Sequence, residues 1–317
     1  MIRTRALTKR FGATVALERL DLDVGAGEVV GFLGPNGAGK TTTIRLLLGL
    51  LRASAGSAQL FGLDSRRDAV AVHRRLAYVP GEATLWPGLT GAETLEFLAR
   101  LHGSVDAAYR EELIERFDFH PATRVRAYSK GNRQKLSLIA ALATRAELLV
   151  LDEPTAGLDP LMEEVFRQCA REAAARGQTI FLSSHILSEV EALCDRVGIL
   201  RAGRLIEIGT LGDLRHLSAV TVEVTFNGPA PELAGVAGVR AVSCEPGRLR
   251  CQVQGSMSAL VAALAAGESE VVQLLSREPS LEELFLAHYG AGEGRAGEGR
   301  AGEGRAQSSR SLAGHAL

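Results

Sequence analysis

The stretch Gly34-Pro35-Asn36-Gly37-Ala38-Gly39-Lys40-Thr41-Thr42 decides how this chain is read. It fits G-x-x-x-x-G-K-[ST], a loop that cradles phosphates. Its surroundings fit as well. Glu28-Val29-Val30-Gly31-Phe32-Leu33 ahead of it predicts a short apolar strand, and Thr43-Ile44-Arg45-Leu46-Leu47-Leu48-Gly49-Leu50-Leu51 behind it predicts a buried helix. Glycines let the backbone wrap a phosphate at dihedrals other residues avoid. The bare N–H groups and the positive end of the helix dipole then face the anion. In such a loop Lys40 reaches the β- and γ-phosphates and the Thr41 hydroxyl ligates Mg²⁺.

Working outward, the 317 residues carry a net charge of −1, which argues against nucleic acid as the main partner. The lysines are Lys9, Lys40, Lys130 and Lys135, and arginine supplies the remaining basic side chains. Against that background the lysine at position 40 is informative, because the loop needs a compact ammonium rather than a planar fork. Cys169, Cys194, Cys244 and Cys251 show neither metal-ligand spacing nor a disulfide framework, as expected of a reducing cytosol. The N-terminal residues lack the apolar stretch of a signal peptide, and no apolar window reaches the length of a membrane span.

Residues 2–7 and 15–24 read as strands, with Phe11 between them. Phe11 has two readings, an aromatic that stacks on an adenine ring or a plain hairpin aromatic. Ser57–Phe61 and Leu76–Pro80 are further strands, residues 81–90 a loop, and Ala92–His102 and Ala107–Phe117 helices of an insertion. Ser129 is placed to cap the helix running through Ala143; taken alone this is a helix start and nothing more. Leu148-Leu149-Val150-Leu151-Asp152-Glu153 is a continuous apolar run ending in two carboxylates, the mark of a central parallel strand whose end lies at a ligand crevice. There Asp152 can hold Mg²⁺ through water, and Glu153 can polarise a water for attack on the γ-phosphate. Thr179–Ser184 is another apolar strand, with His185 at its end where it can sense the γ-phosphate. Residues 197–200 and 204–207 read as a hairpin.

This order of motifs resembles the ATP-binding subunits of ABC (ATP-binding cassette) transporters over residues 1–215. Phe11 matches the adenine-stacking aromatic and residues 34–41 the phosphate loop. Ser129-Lys130-Gly131-Asn132 resembles the family's signature segment, and Asp152 and Glu153 its magnesium aspartate and general-base glutamate. Asp159 matches a loop that communicates across the dimer, and His185 the switch histidine. Tyr128-Ser129-Lys130-Gly131 and Pro279-Ser280-Leu281-Glu282-Glu283-Leu284-Phe285 are similar to bacterial drug- and lipid-type exporters. The resemblance implies an α/β P-loop NTPase core with a mixed sheet, an antiparallel β subdomain and a helical insertion at about 88–145. It also implies ATP and Mg²⁺ as cofactors, and a head-to-tail homodimer in which Ser129 and Gly131 of one copy complete the other's site. Hydrolysis then powers export through a separate membrane permease, with this subunit peripheral on the cytoplasmic face. Two segments depart from the pattern. Gly81-Glu82 stands where the family has glutamine, making Glu82 a candidate Mg²⁺ ligand, and Lys130 and Asn132 replace a glycine and a glutamine of the signature.

Residues 218–289 change character, with a strictly alternating Val220–Phe226, two further strands at 239–242 and 249–253, and helices at 257–266 and 281–289. They read as a small α+β domain, either for dimer support or packing on the ATPase core, or for regulation or contact with the permease. Residues 290–317 hold Ala-Gly-Glu-Gly-Arg three times and are expected to be disordered. Two other readings of the chain are a soluble cassette ATPase acting on ribosomes or DNA, and a nucleotide-gated binding module with little turnover.

Overall fold

The computed structural model describes residues 1–216, 220–233, 235–254 and 256–277. The chain divides after Leu217 into two compact units. In the first, the strands are β1 (Ile2–Phe11), β2 (Thr14–Val24), β3 (Val29–Leu33), β4 (Ala55–Leu60), β5 (Leu63–Asp64), β6 (Leu76–Val79), β7 (Leu148–Asp152), β8 (Thr179–Ser184), β9 (Arg196–Arg201) and β10 (Arg204–Thr210). Its helices are α1 (Lys40–Leu47), α2 (Ala69–His73), α3 (Gly91–His102), α4 (Ala107–Arg116), α5 (Lys130–Leu142), α6 (Pro160–Ala175), α7 (Leu187–Leu193) and α8 (Leu211–His216).

A four-stranded antiparallel sheet runs in the order β2-β1-β4-β5, and a six-stranded sheet in the order β10-β9-β3-β8-β7-β6. In the second sheet β9, β3, β8, β7 and β6 are parallel and β10 returns antiparallel to β9. Every residue of β3, β7 and β8 is buried, as expected of strands covered on both faces. The core between the sheets and α1 includes Leu22, Phe32, Ile44, Leu47, Val150 and Phe181. Phe32 and Phe181 pack with ring centroids 5.5 Å apart.

Register does the positioning. Leu33 lies opposite Ser184, Asp152 opposite Ser183, and Val79 opposite Leu151. Gly34, His185, Glu153 and Pro80 therefore leave the same carboxyl edge of the parallel sheet, where ligands bind in open α/β folds. The helix after the glycine loop starts three residues before the sequence reading and ends four residues before it. Gly49 takes a φ of +68° just beyond it and turns the chain, which leaves Leu50 exposed. The insertion opens with a capping box: Thr90 Oγ1 accepts from Glu93 N at 3.2 Å, and Thr90 N donates to Glu93 Oε2 at 2.7 Å.

The second unit forms one antiparallel sheet, ordered β12-β13-β11-β14, from β11 (Val220–Asn227), β12 (Val239–Glu245), β13 (Arg248–Val253) and β14 (Glu270–Arg277). One helix, α9 (Ser258–Ala266), joins Val222, Val224, Phe226, Leu249 and Cys251 in a separate core through Leu260 and Leu264. The strand β14 is absent from the sequence reading. The helix read at 281–289 and the repeat tail lie outside the described residues. No helix among the described residues is long and apolar enough to cross a membrane.

Candidate nucleotide site

The loop from Gly34 to Gly39 can only be built from glycine at its turning points. A Cβ on Gly34 would stand 2.5 Å from the Leu200 carbonyl, and one on Gly39 2.7 Å from the Ala16 carbonyl. Gly37 and Gly39 also hold φ at +81° and +109°. Gly39 caps α1 without a side-chain hydrogen bond, and the helix's first turn holds no acid. Its leading N–H groups are thus available to an anion, with the helix dipole favouring negative charge. Pro35 and Asn36 form the outer bend, Ala38 is buried against the core, and Thr41 and Thr42 are half-buried at the start of α1.

Lys40 is buried, and its ammonium donates to Gly34 O at 2.6 Å and to Pro35 O at 3.2 Å. It also pairs with Glu153 Oε1 at 3.4 Å, while Glu153 Oε2 lies 3.3 Å from His185 Nδ1. Two groups, Lys40 from the loop and helix after β3 and His185 from the end of β8, therefore meet at the carboxylate that follows β7. Glu153 sits at φ +49°, a left-handed conformation that costs a non-glycine residue of order 1–3 kcal/mol and turns the side chain off the strand. Its backbone N–H, bonded to Ser183 O at 3.1 Å and to Ser183 Oγ at 3.2 Å, holds that turn.

Asp152 is buried, and its Oδ1 accepts from Ser183 Oγ at 2.5 Å. Asp152 and Glu153 line a cleft of about 390 Å³ together with Thr41, Arg45, Tyr78, Glu82 and Thr84. Burial, with the Asp152 carboxylate beside it, pushes the Tyr78 phenol up to about 12, so it forms a neutral wall. The oxygens of Thr41, Asp152 and Glu82 in one cleft are the hard donors that Mg²⁺ takes. The loop geometry fits a polyphosphate and the cleft fits its metal.

The remaining sequence-derived residues lie outside the lining of this cleft. Phe11 is half exposed, with the Lys9 ammonium 4.7 Å from its ring centroid. Ser129 caps α5 by accepting from Asn132 N at 3.2 Å. Gly131 packs so tightly on the turn after β7 that a Cβ would stand 2.5 Å from Gly157 O. Asp159 caps α6, accepting from Met162 N at 3.0 Å with Pro160 next in line. Sequence reasoning missed Ser183, the hydroxyl that orients Asp152 and Glu153. The signal for it is the serine pair ending the apolar strand before His185. It also missed Gln134, whose buried amide donates to Pro154 O at 3.0 Å and ties α5 to the carboxylate strand.

Residues 17–156 match the family model described as ABC transporter. Over 292 residues the chain is 40% identical to the daunorubicin resistance ATP-binding protein DrrA3 of Streptomyces coeruleorubidus, covering 88% of this chain and 92% of that one. The chain belongs to the ABC transporter family. It is an ATP-binding subunit and an ATPase. A second relative within the ABC transporter family, the bacitracin transport ATP-binding protein BcrA of Bacillus licheniformis, is 40% identical over 210 residues, 65% of this chain and 69% of its own length. Among solved structures, an ATP-binding subunit of an ABC transporter is 32% identical with a TM-score of 0.63, over 68% of this chain and 92% of that one.

Proposed function

We propose that this ABC subunit hydrolyses ATP to drive the export of a drug or antibiotic through a separate membrane permease. The observation that carries the reading is the meeting of Lys40, Asp152, Glu153 and His185 at one sheet edge, behind a loop that only glycine can form. In this reading Lys40 leaves the Gly34 and Pro35 carbonyls for the β- and γ-phosphates. That release frees Glu153 to accept the proton of the attacking water, and His185 holds the γ-phosphate on the opposite side. Thr41, Asp152 and Glu82 would hold Mg²⁺, which when bound supplies positive charge to the phosphate oxygens. Phe11, already half exposed, offers its ring to the adenine.

The same reading pairs two copies head to tail, so that Ser129 and Gly131 of each close over the other's nucleotide and Asp159 stands at the seam. The chain is peripheral, on the cytoplasmic face of the membrane. A groove of about 410 Å³, lined by Leu50, Leu76, Leu85, Leu98 and Leu101 and reaching Pro80, suits the permease, because it joins the insertion to the strand end that carries Glu82. The names of the relatives, daunorubicin resistance and bacitracin transport, favour a drug-type cargo. A tagged pull-down of the full chain from detergent-solubilised membranes tests the coupling. Recovery of a stoichiometric multi-spanning protein is expected, and recovery solely with ribosomes or DNA would replace transport by a soluble role.

A further inference from the structure

Behind the hydrolytic side chains lies a carboxyl that the mechanism above does not use. Glu189, on α7, is 4% exposed, and its Oε1 has no hydrogen-bond partner among the described residues. Its Oε2 lies 2.5 Å from Ser184 Oγ, the last residue of β8 and the neighbour of His185. The buried Thr155 hydroxyl, in the turn directly after Asp152-Glu153-Pro154, faces the same carboxyl. Ser184 in turn accepts from Gly34 N through its carbonyl at 3.3 Å, so the glycine loop joins the same cluster.

We propose that Glu189 is a positioning residue for ATP hydrolysis, clamping the strand end that carries His185 to the Thr155 turn behind the catalytic carboxylates. The proton count supports this. Ser184 Oγ accepts from Ile186 N at 2.9 Å and has Ile186 O at 3.1 Å as an acceptor. A serine hydroxyl has one proton. When that proton goes to Ile186 O, the short contact with Glu189 is satisfied by a proton on the carboxyl. Burial acts in the same direction and raises the affinity of Glu189 for that proton, outweighing the Ser184 and Thr155 hydroxyls, which lower it; Glu163 adds to the burial and His185 opposes it, and Cys194 is the other titratable group beside it. A neutral acid has a donor and an acceptor to offer, one for Ser184 and one for Thr155, and so can bridge two segments that must keep step around the γ-phosphate.

The inference rests on Glu153 and His185 as the hydrolytic groups, and the variants separate the two ideas. In full-length protein, Glu189→Ala is expected to lower kcat by about tenfold, the scale of a lost buried hydrogen bond, with KM and the affinity for a fluorescent ATP analogue changed by less than about twofold. Glu189→Gln, which keeps a donor and an acceptor without charge, is expected to restore kcat to within about twofold of the parent. Thr155→Val should lower kcat in the same direction and add nothing to Glu189→Ala. Full kcat in Glu189→Ala, equal losses in the Ala and Gln variants, or full kcat in Thr155→Val would each overturn the proposal. Should Glu189→Ala fail to fold, Thr155→Val decides alone. Full turnover in Glu153→Gln would overturn the assignment of the base while leaving the Glu189 comparison readable.

Discussion

Lys40 and Glu153 pair at 3.4 Å at the mouth of the glycine loop. An ammonium 5% exposed, resting on two backbone carbonyls and a carboxylate, is satisfied for now. Two other residues give sharper tests. Phe11→Ala is expected to weaken ATP binding by about 1–3 kcal/mol, measured by titration calorimetry, because the stacking face is lost while the phosphate loop is untouched. Glu82→Gln restores the residue usual at this place and removes a charge from the cleft that Asp152 shares. The Mg²⁺ concentration for half-maximal ATPase activity is expected to rise several-fold, since divalent affinity follows ligand charge; an unchanged requirement would take Glu82 out of the metal site. At this scale the sequence was eloquent where spacing is local, as in residues 34–42 and the pair Asp152-Glu153. It was silent about Ser183 and Glu189, whose roles depend on partners brought alongside by register: Asp152, 31 residues from Ser183, and Thr155 facing Glu189.

Elements set how those residues move together. The first turn of α5 lies against Gly157 with no room for a methyl group, and Gln134 fastens the same helix to Pro154. Gly131→Ala should push α5 and the turn after Glu153 apart, lowering ATPase turnover by up to about 100-fold and the thermal midpoint by several degrees, the cost of about 1–3 kcal/mol for an overpacked contact. Thr90→Ala, by contrast, removes a helix cap far along the chain from the carboxylates. It should cost about 1 kcal/mol and lower the midpoint by about 2–4 °C, with turnover per folded molecule retained. The elements legible in sequence were those with a strong period or an unbroken apolar run, such as β3, β7, β8 and α5. The short helices α2, α7 and α8 span 5, 7 and 6 residues, too few turns for a 3.6-residue period to register. The strand β14 escaped for another reason. All eight of its residues are exposed, including the adjacent pairs Val271-Val272 and Leu274-Leu275, so no inside-outside alternation marks it.

At the scale of the molecule, a parallel sheet edge gathers the chemistry, and a groove within the same unit leads from Pro80 to Leu98 and the exposed Leu101 of the insertion. A single copy holds Lys40, Glu153 and His185 together, and the proposed head-to-tail pair would bring Ser129 and Gly131 of the second copy to the same nucleotide. ATP should accordingly favour dimers in sedimentation, and more strongly when hydrolysis is blocked. The central claim is that this carboxylate, at the end of β7, is the base that hydrolyses ATP. Steady-state turnover and ATP binding in full-length Glu153→Gln test it most directly. Retained binding with turnover lowered by at least about 100-fold is the expected result; binding and turnover both at parental levels would contradict the account.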